Sequence, residues 1–79
     1  PIADTASAII ETVVQAGSPL VGQRLFDVNL PHGVITAAVA HERQLDPEPE
    51  LATLKVGDLI VVYAPERAVE RTRRELSRR

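Results

Sequence analysis

The chain has 79 residues, 25% of them charged, with a formal charge of −2, one Phe, one Tyr and no Cys. So short a chain forms one domain and buries only about 60% of the surface its unfolded form exposes, which makes a second copy an easy source of further burial. The lack of Cys excludes disulfides and Cys-based metal centres, and no apolar run approaches the roughly 20 residues of a membrane span.

The chain starts at Pro1 with no Met and no basic leader, as expected for a piece of a longer protein without a signal peptide here. Residues 1–7 are small and polar and read as a lead-in or linker. The domain proper is expected over 8–79. Ala8 to Val14 reads as a strand. Ile10, Thr12 and Val14 share one face; Ile9, Glu11 and Val13 share the other. Apolar residues on both faces imply that both are at least partly covered.

Gly17-Ser18-Pro19-Leu20-Val21-Gly22 is a turn-rich connection. Gln23 to Val28 suits one or two helical turns, which Pro31 and Gly33 stop. Val34 to Ala40 is short, apolar and rich in Val, Ile and Thr, so it reads as a second strand. His41-Glu42-Arg43-Gln44 is a turn leading to a brief strand around Leu45. The prolines of Asp46-Pro47-Glu48-Pro49-Glu50 place that stretch in a loop or at an edge.

Gly57-Asp58 reads as a tight turn before a strong strand, Leu59 to Tyr63. Pro65 suits the first turn of a closing helix. Ala68, Val69, Thr72 and Leu76 give that helix a narrow apolar stripe. Glu70 with Arg74 and Glu75 with Arg79 stand one turn apart. The predicted fold is therefore α+β in two layers. A small, mostly antiparallel sheet carries a short crossover helix and a C-terminal helix on one face. The other face of the sheet is left for a second copy, and a homodimer is expected.

The order and spacing of Val13-Val14, Gly17 to Gly22, Leu25, Asn29-Leu30-Pro31, Gly33-Val34 and Val56 to Tyr63 resemble the TrkA C-terminal domain, or RCK_C, from Ala8 to Leu76. The resemblance implies a cytoplasmic regulatory domain that dimerises and senses a ligand in a potassium or other cation transport protein. It implies a nucleotide-binding or membrane transporter domain elsewhere in the full protein. In some members of the family the dimer cleft binds cyclic di-AMP; in others it binds a different small molecule or a metal ion. By position in the family pattern, Val28, Asn29, Leu30, Pro31 and His32 approach that cleft, and Arg24 and His32 are the phosphate or base contacts if a dinucleotide binds. The sequence departs from the family at the hairpin, where His41 to Gln44 replaces a stretch that commonly carries Gly. It departs again before the closing helix, where Ala64 stands in place of a Ser or Thr cap. A dimerisation module with no ligand, or the soluble domain of a non-cation carrier, fits the same residues. The cleft stretch is mostly apolar, which suits a packed seam as well as a phosphate pocket.

No cofactor is implied beyond such a ligand. His41, Glu42 and Asp46 could form a metal set, but their spacing follows no known ligand pattern, and a solvated loop is the better reading. Gly17 and Gly22 lack the Lys and Ser or Thr of a phosphate loop. Ser7, Ser18 and Ser77 lack the context of a nucleophile, so no catalytic residue is assigned. After Glu66 the charge turns basic, with Arg67, Arg71, Arg73, Arg74, Arg78 and Arg79. With only Phe26 and Tyr63 to stack bases, that end reads as a solvated helix face and not a nucleic-acid site. Direct membrane insertion of this segment is not expected.

Overall fold

The computed structural model describes residues 7–79. Most of the expected lead-in lies outside the described residues; Ser7, its last member, already belongs to the first strand. The sheet has four strands, β1 (Ser7–Val13), β2 (Ile35–His41), β3 (Gln44–Leu45) and β4 (Leu59–Pro65), in the order β1-β4-β2-β3. Every pairing is antiparallel. One α-helix, α1 (Val69–Leu76), closes the chain and packs on β1 and β4.

The alternation read from the sequence decides which side of the sheet is the core. Ile10 and Val14 face inward with Val39, Ile60 and Val62 and are almost fully buried. Leu20 and Leu25 from the crossover, Leu54 from the later loop and Leu76 from α1 cover them. The crossover contains a single short helical turn, Leu25–Asp27. It is stitched to the later loop by the Leu54 N–H donating to the Gln23 carbonyl and the Gly22 N–H donating to the Leu54 carbonyl, both at 2.8 Å.

Several local details differ from the sequence reading. Pro65 does not open the helix. It ends β4 opposite Ser7, a short turn spans Glu66–Ala68, and the α-helix begins at Val69. The φ of Pro65, −60°, suits a strand end as readily as a first helical turn, and its ψ of 151° puts it in the strand. Glu75 pairs with Arg78 at 3.0 Å instead of Arg79; α1 ends at Leu76, so both arginines lie past the regular helix on which the Glu75–Arg79 spacing rests. β2 carries a bulge at Ala37, between the paired positions Thr36 and Ala38. The β2–β3 hairpin turns on Glu42 and Arg43, both at positive φ (48° and 72°), which is the conformation glycine adopts most easily.

Candidate functional site

The outward side of the sheet is apolar and open. Tyr63 at the centre is paired with Ile9 on β1 and with Ile35 on β2, forming one row across three strands. These side chains are 46%, 57% and 62% exposed respectively. Exposed Val13 extends the patch along β1, and Glu11 is the charge between them. An isolated exposed Leu or Ile needs no explanation; a contiguous row on a sheet does.

Ile35 also lines a cleft of about 270 Å3. The walls come from three places: the turn with Leu25 and Phe26, the segment holding Val28, Leu30 and Pro31, and the start of β2. Glu50 closes it from the short helical turn Pro49–Leu51, which packs on β2. Of the six residues expected at a ligand site, Val28, Leu30 and Pro31 line this cleft, whereas Arg24, Asn29 and His32 do not.

Arg24 is already engaged. Its Nε donates to Asp27 Oδ2 at 2.7 Å, and its guanidinium carbon lies 5.8 Å from the centre of the Phe26 ring. An anionic ligand would have to compete with Asp27 for it. His32 is exposed, and its carbonyl accepts a 3.0 Å hydrogen bond from Arg67 Nη2. That bond ties the loop before β2 to the turn before α1. Phe26, Ile35 and Glu50 were not legible as site residues. Phe26 carries a signal, an aromatic in a short turn beside the predicted segment. Glu50 carries none, because only the fold of the 46–54 loop brings it across.

A second cluster lies at the opposite end of β2. His41 Nε2 is 2.9 Å from Asp46 Oδ2, and Nδ1 is 2.8 Å from Asp58 Oδ2. The Asp58 contact is close but off the line of a straight N–H bond, so it acts more as a charge pair than as an aligned hydrogen bond. The carboxylates of Asp58 and Asp46 hold the His41 pKa above its ordinary value. The Glu48 N–H, with His41 second, holds the Asp46 carboxyl below its ordinary value. Asp58 is nearly fully buried, and it caps the turn by accepting the Lys55 N–H at 2.8 Å. Asp58, read in the sequence as part of a tight turn, thus accepts from a residue three positions back. His41 faces Asp46 and Asp58, not Glu42. Among the described residues, no group of three or more His, Asp or Glu is arranged to hold a metal ion.

The model of the TrkA-C domain family matches residues 9–77. The chain belongs to the TrkA-C domain family. TrkA-C domains are typically regulatory domains of potassium transport proteins, and the four-stranded antiparallel sheet with its closing helix is consistent with their α+β fold. A search of curated proteins found no match. No helix among the described residues of this TrkA-C domain is long and apolar enough to cross a membrane.

Proposed function

We propose that this TrkA-C domain is the ligand-sensing and dimerising unit of a potassium or other cation transport protein, acting in the cytoplasm. Two copies would meet through the sheet face around Tyr63. The observation that carries this reading is the double membership of Ile35, which belongs both to the exposed apolar row and to the cleft wall. A molecule in the cleft therefore lies at the margin of the face that a second copy would cover. The cleft, at about 270 Å3, falls just short of the roughly 300–1,000 Å3 of a complete small-molecule pocket, as a half-site would. A ligand held by both halves favours one dimer geometry over another, and occupancy is then linked to the arrangement of whatever the two copies are joined to.

A dimerisation module with no ligand is the second reading. Glu50 favours it over an anionic ligand such as cyclic di-AMP. Among the described residues it is the only charged one lining the cleft, and the nearby cation, Arg24, is paired with Asp27. A neutral or cationic ligand meets no such objection.

The deciding experiment is a thermal-shift panel with cyclic di-AMP, cyclic di-GMP, ATP and divalent cations, with light scattering to follow oligomeric state. A ligand that binds only the folded dimer raises its melting temperature by mass action. A saturable rise, abolished by Leu30→Asp, supports sensing. A stable dimer with no shift from any compound leaves assembly alone. A monomer at high concentration defeats both.

A further inference from the structure

We propose that His41 is a proton-operated latch that holds the loop forming one wall of the cleft. The ring stands between two carboxylates from different parts of the chain, Asp46 just after β3 and Asp58 just before β4. Ionised carboxylates only accept, and a neutral imidazole has a single N–H. Only the imidazolium can offer a proton toward both oxygens at once. Loss of its proton sets a ring lone pair against a carboxylate oxygen less than 3 Å away, and one of the contacts must open.

The contact that opens is the misaligned one to Asp58, because the single N–H of the neutral ring stays on Nε2, in its hydrogen bond to Asp46. Asp58 is buried and fixed by the Lys55 N–H, so the ring withdraws from it and carries along its bond to the Asp46 side chain, at the head of a largely exposed loop. That loop is organised from Asp46. Its Oδ1 accepts the Glu48 N–H at 2.8 Å, and the turn Pro49–Leu51 follows, carrying Glu50 into the cleft wall. A proton on His41 therefore bears on the far end of β2 through the loop that runs along it.

Among the described residues, no other charged group is paired with the ring, although Lys55 adds a weak pull on Asp46. Glu42 and Lys55 line the open cavity of about 470 Å3 beside it, which gives the ring access to water. Arg43 and Glu48 are exposed. The remaining strand neighbours at this end, Ala40, Leu45 and Leu59, carry no charge.

Only the consequence for binding rests on the ligand-sensing reading; the latch itself can be tested with no ligand present. Histidine ring and backbone amide resonances of the chain would be followed by NMR from about pH 5 to about pH 9, which spans the ordinary histidine value of about 6.5. The His41 ring should titrate above that value, and the amides of Glu48, Glu50 and Leu51 should move with the same midpoint. His41→Gln should remove that transition from the loop. Asp46→Asn, which keeps a hydrogen-bonding side chain, should lower the ring's midpoint and uncouple the loop from it. Loop amides that stay flat through the ring's transition, or that follow His32 instead, would overturn the latch. Any compound that binds in the thermal-shift panel should bind more weakly on the alkaline side of the midpoint. A working latch in a domain that binds nothing defeats the sensing reading alone. Binding with a loop indifferent to pH defeats the latch alone.

Discussion

Gly33 lies so close to Pro65 that a Cβ on the glycine would come within 3.1 Å of the Pro65 ring carbon Cγ and equally close to Arg67 Nη2. The loop entering β2 is thereby pressed against the end of β4 and the turn before α1. Gly33 also has φ +91°, a conformation that side chains rarely adopt. Gly33→Ala is expected to destabilise the domain by roughly 1–3 kcal/mol through backbone strain, with the crowding added to it. Urea unfolding checks this. A variant as stable as the parent would show that the loop can move away freely.

The hairpin at Glu42 and Arg43 points the other way. Two side-chain-bearing residues hold positive φ there, where Asn-Gly is the favoured pair. Replacing both with Asn-Gly should stabilise the domain by about 1 kcal/mol, or roughly 4–8 °C in Tm for a domain of this size. Calorimetry is the check.

Thr72 is fully buried, and its hydroxyl has no hydrogen-bond partner among the described residues. Val has nearly the same shape and removes the orphaned group. Thr72→Val is expected to raise stability by about 1 kcal/mol. A loss of stability in chemical denaturation would mean that the hydroxyl finds a partner in solution.

The exposed row on the sheet yields a prediction about assembly and not about folding. Tyr63→Glu places a charge at the centre of the proposed contact, at a residue outside the core cluster. Sedimentation should then show a monomer, with monomer stability changed by less than about 0.5 kcal/mol. A dimer that survives this change uses another face.

The pH dependence of stability follows from His41 and Asp46. The pKa of His41 is raised in the folded state, so its contribution is fully present below the unfolded value of 6.5 and is lost as pH rises through the folded value. That of Asp46 is lowered, so its contribution is present above 3.8 and is lost as pH falls through the folded value. The gap in stability between the parent and His41→Gln should therefore be widest between about pH 4 and about pH 6.5 and close under alkaline conditions. A gap of constant size would mean that His41 acts by packing alone.

The sheet was legible because its strands alternate or run apolar over short lengths, and because Gly57-Asp58 and Gly33 punctuate them. The brief β3 near Leu45 was legible as well, from the polar turn before it and the prolines after it. The helix start was not, because a proline fits a strand end and a first helical turn equally well. Val28, Leu30 and Pro31, expected at a ligand site from the family pattern, line the cleft. Glu50 was not legible there, because it arrives from a separate loop with no local signature. The His41–Asp46–Asp58 arrangement was hidden for the same reason. Asp58 reads as a turn residue from its neighbours, and only the register between β2 and β4 brings it beside the histidine.

The pairing of Ser7 with Pro65 joins strands from the opposite ends of the domain. A ribosome delivers β1 long before β4, so Ile9, Ile10, Val13 and Val14 must wait in an unpaired, oily segment until nearly the whole domain has emerged. During that interval the newborn chain is a natural client for chaperones. It is also exposed to mispairing with a neighbour on the same messenger, whose own β4 would serve as well as its own.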